Sequence, residues 1–126
     1  MDVSDKLAVA ETVYGYAFGV DRRDWTGYRS LFADTVTIDF SGYDPERPPR
    51  QMSADKWVAG MIPLSTGLAA TQHSMTNPLV TIDGDTAAIT MYVNAHHVFD
   101  PPIPPPGTRS AGTTTTPWRV LMGAGC

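Results

Sequence analysis

The chain has 126 residues and a mass of 13.6 kDa, with 42% apolar and 17% charged residues, which fits one globular domain and excludes a disordered chain or a membrane protein. No apolar run approaches the ~20 residues of a membrane span, and a net charge of −4 with a pI near 5.1 disfavours nucleic acid and anionic membranes as partners. A single cysteine, Cys126, excludes an internal disulfide framework; with no basic-then-apolar leader in MDVSDKLAVAETVYGY, a reducing, cytoplasmic setting is expected.

A first helix is expected from Ser4 to Val20, with Ser4 as N-cap and Leu7, Ala10, Tyr14 and Ala17 recurring at helical spacing. Asp24 caps a second, short helix, WTGYRSLF, whose Trp25, Tyr28, Leu31 and Phe32 face inward. Between them lies GVDRRD, so Asp21 closes the first helix beside its apolar face. VTIDF (Val36 to Phe40) alternates and is β-branched, the pattern of a short strand. SGYDPERPPRQM reads as a loop from its proline, glycine and charge content. Ser53 caps a third helix through ADKWVAGMI, which Pro63 is expected to end. Two longer strands follow, ATQHSMTNPLVTI and TAAITMYVNAHHVFD, separated by Asp83-Gly84, a strong short-range hairpin signal. Helices first and a meandering antiparallel sheet second make an α+β arrangement. There is no internal repeat.

Strand parity then sorts the side chains. In the last of these strands Met91, Val93, Ala95, His97 and Phe99 share the more apolar face, which should turn inward, and Tyr92, Asn94 and His96 share the other. In the preceding strand Thr71, His73, Met75 and Asn77 share a face. Two histidines and an aspartate can thus converge in one pocket. A histidine in an apolar cup becomes a useful base only when a carboxylate at its other ring nitrogen holds the tautomer and supports the imidazolium. Asp21 is the best-placed partner for His73; the plain alternative is that an inward histidine is a satisfied core residue. A zinc site wants three or four ligands, and adjacent His96 and His97 point to opposite faces, so metal is not expected. Arg22 and Arg23 read as a solvated turn, with substrate binding as the other reading. Tyr14, Tyr16, Trp57 and Met61 fit the wall of a pocket for an apolar ring and fit plain core equally well.

YGYAFGVDRRDWTGYRSLFADTVTIDF, then TQHSMTN, then IDGDTAAITMYVNAHHVF, resembles the SnoaL-like branch of the NTF2-like superfamily, and most of all the group around scytalone dehydratase and hexachlorocyclohexane dehydrochlorinase. The resemblance covers residues 5 to 100. It implies a cone in which a curved antiparallel sheet wraps three helices around an internal pocket. It also implies a catalytic dyad of a helix-end aspartate, matching Asp21, and a strand histidine, matching His73; a second histidine falls on His97. The substrate-binding residues expected in that pocket, from helical spacing and strand parity together with the Phe40 correspondence, are Tyr16, Phe40, Trp57, Met61, Met75, Asn77 and Val93. Two tyrosines that hold a water on the substrate carbonyl in the dehydratase correspond to Phe40 and Val20, so the resemblance does not extend to that mode of activation.

Composition breaks near residue 100. All thirteen acidic residues lie at or before Asp100, while Arg109 and Arg119 are the only charges after it, and six of the eleven prolines fall in the same tail. The chain therefore divides into a domain over 1–100, with seven basic and thirteen acidic residues (net −6), and an irregular Pro/Thr/Gly-rich tail over 101–126 that does not match the family. The family continues with two more strands, carrying a GGYYDH-like segment and a DG-x-W turn. The codons behind Ser110 to Trp118, read two bases later, permit GGYYDHAV, and those behind Leu121 to Gly125 permit Asp-Gly-x-Trp, which points to a one-nucleotide frameshift near residues 100 to 103. The alternatives are a genuine disordered tail or, in PPIPPP, a polyproline ligand. On this reading the closing strands are missing or replaced, and the strand ending at Phe99 keeps an open edge.

The expected function is a cofactor-independent lyase-type enzyme, dehydratase- or dehydrohalogenase-like. His73 takes a proton from a small, cyclic, hydrophobic substrate, Asp21 orients the base, and His97 binds or polarises the substrate. The alternative is a non-catalytic NTF2-like module for ligand binding or dimerisation. Homodimer and homotrimer both stand open as assembly states.

Overall fold

The computed structural model describes residues 2–41, 44–99 and 111–122, the last of these as backbone. Helix α1 runs from Val3 to Asp21, α2 from Trp25 to Ser30, and α3 from Ala54 to Thr66. Strands β1 (Thr35–Ile38) and β2 (Arg50–Ser53) form one antiparallel pair; β3 (Ala70–Asp83), β4 (Thr86–Val98) and β5 (Ala111–Met122) form a second antiparallel sheet in the order β3-β4-β5. The α+β class read from the sequence is the one found. Among the described residues no helix is long and apolar enough to cross a membrane.

The helix starts follow from capping chemistry. The Asp24 carboxylate accepts from the Gly27 N–H at 3.0 Å, and the Ser53 hydroxyl accepts from the Lys56 N–H at 3.1 Å, each satisfying an amide that has no partner inside its helix. α1 is capped by Asp2 rather than Ser4. The Asp2 carboxylate takes both the Ser4 N–H (3.1 Å) and the Ser4 hydroxyl (2.6 Å), and it adds negative charge at the positive end of the helix dipole. α3 carries on through Pro63 instead of ending there. Proline costs the helix one backbone bond, but the next turn closes with Gly67 N–H on Pro63 O (3.1 Å) and Leu68 N–H on Ser65 O (3.1 Å).

Two cores hold the layers together. The N-terminal half of α1 lies on the sheet, burying Ala10 and Val13 against Ile89 and Met91, with Val9, Tyr14, Met75 and Val80 packed around them. Full burial of side chains such as Ile89 and Met91 stabilises the fold by about 1.5–3 kcal/mol each. The C-terminal half of α1 meets the other helices through Val20, Tyr28 and Val58, ringed by Tyr16, Trp25, Phe32, Trp57 and Met61, among others. Gly19 permits this second contact: a Cβ there would lie 2.9 Å from the Tyr28 Cβ. Leu7, expected on the apolar face of α1, is exposed, because the sheet reaches only as far along the helix as Val9 and Ala10.

The hairpin between β3 and β4 turns at Gly84, whose φ of 57° is the left-handed conformation that glycine adopts without penalty. Parity holds along β4: Met91 and Val93 are buried while Tyr92, Asn94 and His96 are exposed. It holds along β3 only to Thr76. The register slips between Thr76 and Leu79, and Asn77 sits at φ 58°, so the strand carries a bulge and the inward set resumes at Pro78, Val80 and Ile82. Asn77 is therefore exposed and leaves the face that carries Thr71, His73 and Met75.

Two strands stand where loop or irregular chain is expected. β2 arises within the proline-rich segment by pairing with β1, Val36 opposite Met52 and Ile38 opposite Arg50. β5 pairs antiparallel with β4 from Ala111 opposite Val98 to Met122 opposite Ala87, so the edge of β4 expected to be open is occupied. Its threonine run has the β-branched character that suits a strand, and Pro117 is tolerated because β5 lies at the sheet edge. The PPIPPP run and Cys126 lie outside the described residues.

Candidate active site

The site is built where the end of α1 meets the start of β3. Asp21 is the last residue of α1 and points at β3, where it collects three hydrogen bonds. The Thr71 hydroxyl donates to Oδ1 at 2.9 Å, the His73 backbone N–H donates to Oδ2 at 2.8 Å, and His73 Nδ1 lies 2.7 Å from Oδ1. A carboxylate oxygen accepts, which assigns a proton to Nδ1; in the neutral ring Nε2 is then the nitrogen with the lone pair. Both side chains are largely withdrawn from water, His73 11% and Asp21 19% exposed, so the hydrogen bonds between them are little weakened by solvent competition.

The neighbours of the imidazole are rings. His97, directly across the β3–β4 ladder from Thr71, meets His73 edge to face with centroids 6.0 Å apart. Burial, helped by the nearby His73 and His96, holds the His97 imidazole below its ordinary pKa of 6.5. Tyr16 meets His73 edge to face from α1 at 6.4 Å. Its hydroxyl is pushed up by burial and stays protonated. Behind Tyr16, Tyr28 is fully buried, accepts the Trp57 indole N–H at 3.0 Å and is hydrogen-bonded to Tyr16. Phe40 packs against Trp57 with centroids 6.4 Å apart, and Met61 joins the same cluster. The His73 ring thus has Tyr16 and His97 as ring neighbours, and Tyr16 leads on to an aromatic cluster that carries hydroxyl and indole N–H groups.

The sequence-derived site residues divide accordingly. Asp21, His73, His97 and Tyr16 come together, with Trp57, Phe40 and Met61 extending the aromatic side. Val93 is buried on the inner face of β4. Met75 packs against the aliphatic core with Tyr14, and Asn77 faces outward. Thr71, which the sequence places only on the inward face with His73, adds a hydroxyl donor to the Asp21 carboxylate. Arg22 and Arg23 are both exposed, as a solvated turn implies, and they differ in their partners: the Arg23 guanidinium donates to the backbone carbonyls of Ser65 (3.0 Å) and Leu68, whereas the Arg22 guanidinium lies over the exposed Phe18 ring, 4.7 Å from its centroid.

Arg23 also has an unusual backbone. The Asp24 N–H bonds Gly19 O (2.9 Å) and the Arg23 N–H bonds Val20 O (3.1 Å), the pair of bonds that ends a helix in a Schellman turn. The residue that must then turn left-handed is normally glycine; here it is Arg23 at φ 55°, a conformation that costs a non-glycine residue about 1 kcal/mol or more.

A family model described as a SnoaL-like domain matches residues 1–123, a span that runs through β5. No curated protein matches the sequence. Among solved structures, a protein from Kribbella flavida superposes with a TM-score of 0.82 at 24% identity, covering 94% of this chain and 79% of its own. A candidate dehydratase of the NTF2-like family from Streptomyces avermitilis gives 0.75 at 16% identity, covering 95% of this chain and 86% of its own. A candidate scytalone dehydratase from Novosphingobium aromaticivorans gives 0.75 at 15% identity, covering 94% and 73%. At these identities the likeness is one of fold.

Proposed function

The chain belongs to the SnoaL-like domain family, and from that premise we propose that it is a cofactor-independent lyase-type enzyme acting on a small, cyclic, largely apolar molecule. His73 Nε2 removes a proton from the carbon beside the leaving group. The electrons of that C–H bond form the new double bond as the leaving group departs with its own pair. Asp21 keeps the proton on Nδ1 and supports the imidazolium that forms, which is a general-base role worth about 10²–10⁴-fold in rate. His97, held neutral by its surroundings, contacts the substrate without placing a second positive charge beside that imidazolium. Tyr16, Phe40, Trp57 and Met61 supply the apolar walls, and the substrate enters as a ligand of the kind that SnoaL-like and NTF2-like domains take up.

One observation carries the reading: the Asp21 carboxylate is oriented by three donors, one of them the Nδ1 of a largely buried histidine whose other nitrogen is left as a base. Core histidines need one hydrogen-bond partner, not a carboxylate held in place by a hydroxyl and a backbone amide as well. The test is a panel of small cyclic alcohols, halides and enones offered to the wild type and to His73→Ala. Turnover that collapses in the variant while ligand affinity holds supports the enzyme. Binding with no turnover in either protein leaves a ligand-binding module instead.

A further inference from the structure

We infer that Arg23 is a positioning residue of the Asp21–His73 pair: it locks the helix end that carries Asp21 onto the chain that leads into the strand carrying His73. The inference rests on the dyad reading above. Three observations converge on it. First, the guanidinium bonds Ser65 O and Leu68 O, carbonyls at and beyond the exit of α3 and 42 and 45 residues away in sequence. Both bonds come from one guanidinium nitrogen, Nη2, whose two N–H groups are charged donors at a fixed angle, so the two carbonyls together fix where the end of the side chain sits. The bonds also place positive charge at the negative end of the α3 dipole.

Second, the contacts close a ring. Arg23 is two residues beyond Asp21, and Leu68 is three residues before Thr71 and five before His73. The segment between is itself held, since the Ala69 N–H bonds Val98 O at 2.8 Å. Going round from Asp21 through Arg23, Leu68 and Thr71 to His73 and back, every step is a short covalent stretch or a hydrogen bond. Rotation of the α1 end, which would carry the carboxylate away from Nδ1, has to break the Arg23 bonds.

Third, an arginine occupies the left-handed position where glycine ends a helix most easily. A position chosen for helix termination alone has no use for a strained side chain. Its neighbour Arg22 shows what such a residue does without a partner across the fold, lying over Phe18 on the surface.

The test uses the full chain labelled at its histidine nitrogens. In the wild type, nitrogen NMR should find His73 in the Nδ1–H tautomer with a slowly exchanging proton. Arg23→Gly keeps the left-handed turn, relieves its backbone strain and removes the clamp. It should speed exchange of that proton about tenfold or more, as loss of a charge-assisted bond from the local opening equilibrium requires, and mix the tautomers. Arg23→Lys, which keeps the charge on a shorter side chain without the fixed guanidinium geometry, should fall between, and Arg22→Ala should match the wild type. If Arg23→Gly does not fold, the same comparison is read from Arg23→Lys. Wild-type exchange and tautomer in the folded Arg23 variants, whatever happens to Tm, overturn the inference and leave Arg23 as a stability element. An Nε2–H tautomer in the wild type overturns the dyad reading itself, a separable result.

Discussion

α1 packs two unlike cores along one length. Near its N-terminus it presents Ala10 and Val13 to Ile89 and Met91, an aliphatic contact with no polar atom at its centre. Two turns on, it presents Tyr16 and Val20 to Tyr28, Trp57 and Phe32, where rings meet edge to face and the Tyr28 hydroxyl accepts from Trp57. The first contact is non-directional and asks only for volume. The second has fixed angles and polar handles, and it borders Asp21 and His73. The proposed base and its carboxylate lie where packing is directional; such a pair must be held to fractions of an ångström, and a purely aliphatic surround offers nothing to hold it by.

Substitutions can break this contrast in graded steps. Asp21→Asn should have the largest effect, a fall in kcat of about 10²–10⁴ with little change in Tm. The amide can donate to Nδ1, which moves the ring proton to Nε2 and removes the base. Kinetics and a thermal melt on the same protein separate the two effects. Ile89→Ala, in the aliphatic core, should show the converse: about 2–5 kcal/mol of stability lost by denaturant titration, with the His73 tautomer unchanged. If the tautomer moves as well, the two cores are coupled through α1 and the contrast drawn above is too sharp.

Gly19→Ala tests the seam between them. Its Cβ would lie 2.9 Å from the Tyr28 Cβ, so a loss of about 1–3 kcal/mol is expected together with a displaced Tyr28 ring, visible as changed aromatic NMR shifts. Tyr28→Phe should cost about 1 kcal/mol, since it leaves the half-buried Trp57 indole N–H without its acceptor.

The smallest effect is pH dependence from His97. Its folded pKa lies below the ordinary 6.5, so the unfolded chain binds this proton more readily. The stability it contributes is complete above pH 6.5 and declines as pH falls through the folded value. Urea midpoints between pH 8 and pH 5 should drop less in His97→Gln than in the wild type, and equal slopes would remove burial of His97 from the account.

Much of this was legible along the chain. Asp24 and Ser53 cap helices where their position before an apolar run says they should, and the parity of β4 sends His97 inward and His96 outward. Asp21 and His73 could be paired from parity and resemblance because one closes a helix and the other alternates into the same layer. Other features carried a signal that was outweighed. Pro78 cannot donate to a ladder, which marked the bulge that turns Asn77 outward. The threonine run marked β5, but the proline-rich stretch before it and Pro117 within it hid it.

What the sequence alone determined is local: the three helices, strands β1, β3 and β4, the caps at Asp24 and Ser53, the hairpin turn and the apolar side of β4, all set by interactions within a few residues. What only the tertiary structure decided is which carbonyls Arg23 reaches, that Thr71 joins Asp21, that α3 can run past Pro63, and that β2 and β5 find partners. Each of these depends on a donor and an acceptor far apart in the chain. Their meeting is set by how the layers pack, and no local pattern records it.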